Sequence, residues 1–104
     1  MPVYIEKPTD YGWVLRNKRV KSSHLLSDEV DLTELHRIAQ AGGMKRRWFQ
    51  DHPDHPHYDI AASRYAGIVA AGAIEVDRNG LVAAVRRRRE AVAATKAQAT
   101  SDPG

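Results

Sequence analysis

The pattern of hydrophobic and polar positions predicts short strands in the first part of the chain and mainly helices after them. The chain opens on a short apolar run, Val3-Tyr4-Ile5, followed by the charged Glu6 and Lys7. A run of β-branched and aromatic residues predicts a first strand. Pro8 has no backbone N–H and keeps the residue before it extended, so the strand should end there.

A hairpin is predicted in the next segment. Trp13-Val14-Leu15 and Arg19-Val20-Lys21 flank the polar Arg16-Asn17-Lys18. Two apolar-containing arms around a short polar link are typical of a β-hairpin. Residues 22–27, which contain His24-Leu25-Leu26, are expected to continue the second arm as a strand.

The clearest helical pattern follows. An apolar stripe at helical spacing passes through Leu32, Leu35, Ile38 and Ala39. Asp31 and Glu34 stand three residues apart at its start, the arrangement of a capping box. Gly42-Gly43 supplies the left-handed exit that helix C-termini favour.

A connector and a loop separate this helix from the next. The connector carries Lys45-Arg46-Arg47 and then Trp48-Phe49, and it is expected to lead into a short strand. Pro53 and Pro56 lie three residues apart in the segment 51–56. Two prolines so close cannot sit inside a helix or a central strand, so this segment is predicted to be a loop.

Two more helices and a strand are predicted in the second half. The second helix is expected over residues 60–71, with Asp59 as its N-cap and Gly72 at its end. Residues 73–76 predict a strand, and a third helix is expected to begin near Asn79-Gly80, capped by Asp77.

The third helix has a basic section. Arg86, Arg87, Arg88 and Arg89 are consecutive, and successive residues turn by about 100°, so they cannot all face a core. The helix is therefore expected to leave the body near Arg86 or to lay its arginine stems along the surface. Residues 1–94 are predicted to form one domain, and residues 95–104, rich in Ala, Thr and Ser, a flexible tail.

This order of elements predicts the α/β class. Strands that alternate with helices favour a small, mainly parallel sheet of three to four strands, with about three helices packed on it. The C-terminal helix should be basic and protruding.

The composition limits the cellular compartment that is expected and the kinds of site that the chain can form. The 104 residues are 42% hydrophobic and 28% charged, as in an ordinary globular domain, and contain no Cys. Disulfides, thiolate metal sites and cysteine nucleophiles are thereby excluded. The first residues lack a charged region followed by an apolar one, and no apolar run is long enough to span a bilayer, so a cytoplasmic location without membrane contact is expected.

The net charge of +3 is less informative than its distribution. Basic residues cluster at positions 16–21, 45–47 and 86–89. Such clusters permit an anionic partner, nucleic acid included, although many basic faces are only solvated surface.

Several short motifs stand in an order and spacing that resemble a known family. They are Val3-Tyr4-Ile5, Ser23-His24-Leu25-Leu26-Ser27-Asp28, Leu32 with Glu34-Leu35-His36, Arg46-Arg47-Trp48-Phe49-Gln50, His57-Tyr58-Asp59-Ile60, Arg64 and Gly72-Ala73-Ile74-Glu75-Val76. Over roughly residues 3 to 88 the chain resembles domain of unknown function 4031, a family of small phage, prophage and actinobacterial proteins. The resemblance implies such an origin, and a host cytoplasm if the protein is phage-encoded. It carries over no activity.

Two positions depart from the family pattern. The family's first strand usually exits into Asp, and here the residue is Glu6. The link between the Trp-Phe-Gln and His-Tyr-Asp motifs is often shorter in the family. A link of variable length makes His52 and His55 poor candidates for a shared function.

A polar ligand-binding pocket is predicted from the residues that can do chemistry. Its members are His24, Asp28, His36, His57, Tyr58, Asp59 and Arg64. Glu6, Asp28 and Asp59 follow predicted strands, and in α/β sheets ligands collect outside the carboxyl ends of strands. Arg64 is expected to hold a phosphate near the start of the second helix.

Within this pocket His24, His57 and Asp59 are the predicted metal ligands, with Glu6 as a further candidate. Imidazole and carboxylate groups suit divalent zinc, manganese or iron where no Cys is present. A bound metal would lower the pKa of a water molecule and make it a nucleophile near neutral pH.

Each of these residues also has a purely structural interpretation. Asp28 and Asp59 can be helix N-caps, and His24 and His36 can be hydrogen-bonded structural histidines. The strong metal spacings, such as His-Glu-x-x-His, are absent, and histidines of a loop can bind nickel or zinc adventitiously. Trp48-Phe49, beside Lys45-Arg46-Arg47, is either part of the core or a stacking platform for single-stranded nucleic acid or a nucleotide base.

Two functions remain open from the sequence. The first is recognition of a phosphate-bearing ligand in the His/Asp/Arg pocket, with a divalent metal for hydrolysis. The second is a non-enzymatic phage accessory protein that binds a host protein or nucleic acid. The first is the leading hypothesis, because a His/Asp/Arg set stands at predicted strand ends. The small size, the basic clusters and the lack of a recognised catalytic motif are the grounds for the second.

Overall fold

The computed structural model describes residues 2–101, and side chains through residue 97. Its strands are β1 (Val3–Glu6), β2 (Thr9–Leu15), β3 (Lys18–Ser27), β4 (Tyr58–Ala61) and β5 (Ile74–Val76). Its helices are α1 (Thr33–Ala41), α2 (Tyr65–Ala70) and α3 (Arg78–Ser101). Two single 3₁₀ turns lie at Arg46–Trp48 and Ala62–Arg64. The chain is therefore α/β, as predicted.

The long strand β3 organises the sheet. Leu25 pairs with Ile5 of β1 and with Tyr58 of β4, so these two strands lie on opposite edges of β3. Ser22 likewise pairs with both β2 and β4. β3 thus has β2 and then β1 along one edge and β4 along the other, and β5 extends the sheet beyond β1.

The prediction of a three- to four-stranded, mainly parallel sheet is corrected. The sheet has five strands, and the only parallel pair among the described residues is β1 with β5. The hairpin is the reason: β2 and β3 return antiparallel through the two-residue turn Arg16-Asn17, and the continuation of β3 then pairs antiparallel with β1. Both turn residues have positive φ, at 52° and 66°, as tight hairpin turns require.

A second correction concerns the segment that begins at His57. The predicted helix over residues 60–71 is in fact β4, a 3₁₀ turn and the shorter α2, so Asp59 is a strand residue and not an N-cap. Tyr58 and Ile60 are fully buried, whereas Asp59 between them is half-exposed. This alternation is the signature of a strand, but four residues are too few to distinguish it from the start of a helix.

The helices α1 and α2 cover one face of the sheet. Their core contains Leu35, Ile38 and Ile68, packed on Leu25 and Tyr58. The predicted glycine exits are present, because Gly43 and Gly72 have φ of 94° and 121° at the ends of α1 and α2. The predicted capping box does not form, because Asp31 accepts from the backbone N–H of Thr33 and Glu34 pairs with Arg37.

The helix α3 covers the opposite face. Leu81 and Ala84 pack on Leu26 of β3, and Asp77 caps the helix by accepting from the backbone N–H of Gly80 at 2.7 Å. The molecule measures 56 Å along its longest axis and 24 and 22 Å along the others. The predicted protruding basic helix is therefore present.

Residues 95–101, predicted as part of a flexible tail, continue α3. The last three residues of that predicted tail, 102–104, lie outside the described part. No helix in residues 2–101 combines the length and the apolar content that a bilayer crossing requires.

Candidate functional site

A cluster of two histidines and one aspartate lies on the α3 face of the sheet. In the β3–β4 ladder His24 stands opposite Asp59, so their side chains project from the same face. His57 precedes Asp59 by two residues, which places it on that face as well. Tyr58 between them points the other way, into the core. Strand register and pleat therefore bring His24, His57 and Asp59 together.

The spacing of these three groups suits a metal ion. Asp59 Oδ1 lies 3.4 Å from His57 Nε2 and 3.8 Å from His24 Nε2. One ligand atom from each residue falls within 4.8 Å of the others. Metal–ligand bonds of about 2.0–2.1 Å in a tetrahedron put neighbouring ligand atoms roughly 3.3 Å apart. Small side-chain shifts would close the triangle around an ion.

Glu6 orients His24 from the buried side. Its carboxylate accepts a hydrogen bond from His24 Nδ1 and another, at 3.1 Å, from the His24 backbone N–H. The hydroxyl of Tyr11 donates to the second Glu6 oxygen at 2.7 Å. Because Glu6 holds the proton on Nδ1, the Nε2 atom of the neutral His24 ring keeps its lone pair for a ligand.

His57 and Asp59 are oriented in the same manner. His57 Nδ1 lies 2.7 Å from the backbone carbonyl oxygen of His55. A carbonyl only accepts, so Nδ1 donates and Nε2 of the neutral ring is left with its lone pair. Asp59 Oδ2 accepts from the side-chain amide of Gln50, which leaves Oδ1 toward the histidines. Every member of the cluster is thus fixed through its other polar atom, as metal ligands commonly are.

The charges of His57 and Asp59 support each other. Burial by itself lowers the pKa of His57, but its hydrogen bonds with Asp59 and with the His55 carbonyl outweigh that effect, so the pKa is raised. The hydrogen bond from His57 lowers the pKa of Asp59 against the opposing effect of burial, and Gln50 adds to the lowering. Without a metal, the pair favours an imidazolium and a carboxylate.

Access to the cluster is uneven. The side chains of His24 and Asp59 are 29% and 37% exposed, whereas that of His57 is 8% exposed. A ligand would approach from the side of His24 and Asp59. His57 forms the floor.

His36 and Tyr58, both predicted in the pocket, lie on the other face of the sheet. The Tyr58 hydroxyl is 2.8 Å from His36 Nδ1, and the ring of Phe49 packs edge-on against His36. Burial lowers the pKa of His36 and raises that of Tyr58. The sequence places Tyr58 beside two site residues, but the pleat of β4 turns it away from them.

Asp28 is also apart from the cluster. Its Oδ2 accepts from Arg87 Nε of α3 at 3.0 Å and from the Tyr4 hydroxyl at 3.3 Å. Arg88 donates to the neighbouring Glu29 carbonyl at 2.9 Å. Asp28 fastens α3 to the sheet, so neither the ligand role nor the N-cap role foreseen for it describes its contacts. Among the four arginines, Arg87 and Arg88 lie along the body of the protein.

Arg64 lies near the cluster but in a neighbouring cleft of about 590 Å³. The residues that line it include Trp13, Arg16, Trp48, Gln50, Asp59 and Arg64. We call it the Trp cleft, after its two tryptophans. Asp59 therefore belongs both to the His/Asp cluster and to the wall of the cleft. The two residues of the aromatic pair Trp48-Phe49 lie in different environments. Phe49 packs on the core, whereas Trp48 is exposed.

Other contributors escape prediction from sequence. Tyr11, which bonds Glu6, stands where β2 shifts register between Thr9 and Trp13. Arg78, at the start of α3, lies 5.7 Å from the ring of Tyr11 and lines a cavity with Glu6 and His24. No spacing in the sequence connects Arg78 with His24. Gln50, which orients Asp59, was also not predicted as a site residue. Its one signal in the sequence is that it stands inside a motif that carries the family resemblance.

The loop histidines lie beside the cluster and not within it. The ring of His55 stacks on that of His57 at 5.1 Å, and His52 packs on His55 at 4.0 Å. His55 contributes its backbone carbonyl to the orientation of His57, which any residue could supply. That the loop histidines are poor candidates for a shared function stays a prediction.

Comparison with known proteins supports the resemblance seen in the sequence. The family model described as protein of unknown function (DUF4031) matches residues 3–89. No curated protein and no solved structure matches the chain significantly. The matched segment contains all five strands, the first two helices and the start of the third, and thus every residue of the His/Asp cluster. The chain therefore belongs to the DUF4031 family.

Proposed function

We propose that the protein binds a divalent transition-metal ion through His24, His57 and Asp59 and uses it to hold and hydrolyse a phosphate-bearing ligand. The observation that carries the proposal is the cluster itself, with three ligand atoms within 4.8 Å and each side chain held by a separate hydrogen bond. Two imidazoles and one carboxylate suit zinc, iron or manganese.

Three protein ligands leave positions for water and substrate, as catalytic metal sites require. A bound divalent ion supplies a water of lowered pKa and neutralises charge on a phosphate. In hydrolysis the water oxygen would form a bond to phosphorus, the bond from phosphorus to the leaving oxygen would break, and the proton that the water loses would pass to solvent. His24 and Asp59 face the open side, so the ligand enters past them.

Two arginines are candidates to hold the phosphate oxygens that do not react. Arg64 lines the Trp cleft with Asp59, and Arg78 lines the cavity that includes His24. Each arginine thus shares a cavity with one member of the cluster. Arg78 also stands over the ring of Tyr11, whose hydroxyl bonds to Glu6, so it is linked to the residues that orient His24.

The metal site is tested by titrating zinc and manganese into EDTA-treated, dialysed protein in a calorimeter. One ion per chain is expected, with affinity lost in His24→Ala, His57→Ala and Asp59→Ala. His52→Ala is the matched histidine control, because His52 is an exposed loop histidine outside the cluster. Asp54→Ala is the matched carboxylate control, because Asp54 is an exposed loop residue outside the cluster. If His52→Ala abolishes binding and His24→Ala does not, the ion is adventitious and the proposal fails.

Hydrolysis is tested separately with bis(p-nitrophenyl) phosphate. Release of nitrophenolate should require the metal, disappear in Asp59→Ala, and weaken in either Arg64→Ala or Arg78→Ala. A protein that binds the ion and releases no nitrophenolate at any ion concentration would retain the metal site and refute the hydrolytic part.

A further inference from the structure

We propose that the Trp cleft binds single-stranded nucleic acid, with bases against its tryptophans and the backbone along the cations at its rim. Only hydrolysis of the strand rests on the proposed function, since the strand would pass the Asp59 side of the His/Asp cluster. Binding of the strand itself needs no metal.

The shape of the cleft fits a nucleotide unit. Its volume of about 590 Å³ lies in the range of small-molecule sites. Asp59 and Gln50 lie in its wall, and Gln50 also bonds Asp59. A phosphate near Asp59 would thus come close to the proposed ion while the attached base occupies the remainder of the cleft.

The aromatic wall is partly exposed, and a base would stack on Trp48 in place of a cation that now stands over its ring. Trp48 is 37% exposed although its neighbour Phe49 packs on the core. Trp13 lines the same cleft from β2. Stacking of a base on an aromatic side chain tolerates any base, and truncation of such a side chain weakens single-strand binding roughly five- to 150-fold.

Positive charge is concentrated around this wall. Arg64 and Lys45 stand over the ring of Trp48, with Arg64 Cζ at 5.5 Å and Lys45 Nζ at 5.6 Å from its centre. Arg16 lines the cleft and Lys18 pairs with a lining residue across the hairpin. None of the four forms an ion pair within residues 2–97.

Arg16 and Arg64 line the cleft, and Lys18 and Lys45 stand at its rim. Among the described residues, Asp59 is the only carboxylate that lines the cleft. The cleft and its rim are therefore net positive and attract an anionic strand.

A single strand fits better than a duplex. The exposed ring of Trp48 can stack only on an unpaired base, because base faces are covered in a duplex. The cleft lies between the Arg16-Asn17 hairpin turn and the 3₁₀ turn Arg46–Trp48. These short turns offer no extended element of the kind that enters a major groove.

The test is fluorescence anisotropy with a labelled 12-nucleotide single strand and the matching duplex, in EDTA, at several salt concentrations. The single strand should bind at least ten-fold more tightly than the duplex at low salt. Trp48→Ala should weaken single-strand binding five-fold or more without changing its salt dependence. Arg16→Ala and Lys45→Ala should each lower the slope of log affinity against log salt by about 0.7.

Two controls separate this cleft from other causes. Arg89→Ala removes an exposed arginine of α3, outside the cleft, and should leave single-strand binding unchanged. His24→Ala should abolish metal binding and leave single-strand binding intact, so failure of the metal site and failure of the cleft are distinguishable. Circular dichroism verifies that each variant is folded.

Three outcomes would overturn the proposal. They are equal affinity for single strand and duplex, unchanged affinity in both Trp48→Ala and Trp13→Ala, and displacement of the strand by an equal concentration of adenosine monophosphate. The last would assign the cleft to a mononucleotide.

Discussion

His24 faces Asp59 directly across the β3–β4 ladder, with Nε2 of the histidine 3.8 Å from Oδ1 of the aspartate. The two residues are 35 positions apart in the sequence. Because both sit in the middle of paired strands, backbone hydrogen bonds fix their relation before any ligand arrives. A cation between them meets a largely prepared site, which reduces the cost of ordering the ligands.

The orientation of His24 by Glu6 predicts a graded loss of metal affinity. Glu6→Gln should weaken zinc binding by about ten- to 100-fold, the usual effect of removing a partner that orients a ligating histidine. Tyr11→Phe should have a smaller effect, since Tyr11 only supports Glu6. Calorimetric titration measures both.

A second tyrosine–glutamate pair, away from the cluster, serves as the control. Glu75 accepts from the hydroxyl of Tyr65 at 2.7 Å, the same type of contact that Glu6 makes with Tyr11. Burial and this bond raise the pKa of Tyr65 to about 12. Glu75→Gln should leave zinc affinity unchanged. Equal losses in Glu75→Gln and Glu6→Gln would show a general effect on the fold in place of an effect on His24.

Metal affinity should fall as the pH is lowered. The pKa of His57 is raised above its usual 6.5, so near neutral pH part of the population carries a proton that the ion must displace. The apparent affinity should decline from pH 8 to pH 6, with proton release detectable from the buffer dependence of the binding enthalpy. An affinity that does not change over this range would exclude His57 as a ligand.

The metal-free protein should show the opposite pH trend at His57. A histidine whose folded pKa is raised stabilises the fold below its unfolded pKa and loses this contribution as pH rises through the folded pKa. Asp59, with a lowered pKa, stabilises the fold above its usual 3.8 and loses the contribution as pH falls through the folded value. Their joint contribution is therefore largest at about pH 4–6.5.

Urea unfolding in EDTA at pH 5.5 and pH 8 tests this relation. The free energy of unfolding of wild type minus that of His57→Gln should be larger at pH 5.5. The subtraction is needed because His36 and His55 have lowered pKa values and change stability in the opposite direction. A difference that grows with pH would contradict the proposed pairing of His57 with Asp59.

The contact between α1 and α2 predicts that Gly42 cannot be enlarged. A Cβ at this position would lie 2.2 Å from Ile68 Cδ1 and 3.1 Å from Ile68 Cα. Gly42→Ala should lower the free energy of unfolding by about 1–3 kcal/mol, the usual range for overpacking. In an Ile68→Val background, which lacks Cδ1, the same substitution should cost less. Urea denaturation measures both values.

Gly67 is the matched control for this prediction. It also lies between the two helices, but a Cβ there would meet only the Gly42 carbonyl oxygen, at an ordinary 3.7 Å. Since Ala is the better helix former by about 1 kcal/mol, Gly67→Ala should leave stability unchanged or raise it. Destabilisation of similar size in both variants would mean that Ile68 is not the cause.

Local patterns in the sequence determined most of the elements. The run Val3-Tyr4-Ile5, the polar hairpin turn and the stripe of α1 were sufficient to predict β1, the β2–β3 hairpin and the helix, because each signal is complete within a few residues. The glycine exits and the Asp77 cap were predictable for the same reason. The residue types that can ligate a metal were also visible, but they included Asp28 and His36 as well as His24, His57 and Asp59.

Tertiary structure decided which of those residues meet. Tyr58 and Asp59 are neighbours in the sequence, yet the pleat of β4 sends one into the core and the other toward His24. Asp28 has the same chemistry as Asp59 but pairs with Arg87 of α3, 59 residues away. Glu6 and Gln50 acquire their roles only through contacts across the sheet. Residue type can be read from sequence, whereas strand register, which sets direction and distance between remote residues, is fixed by packing of the whole chain.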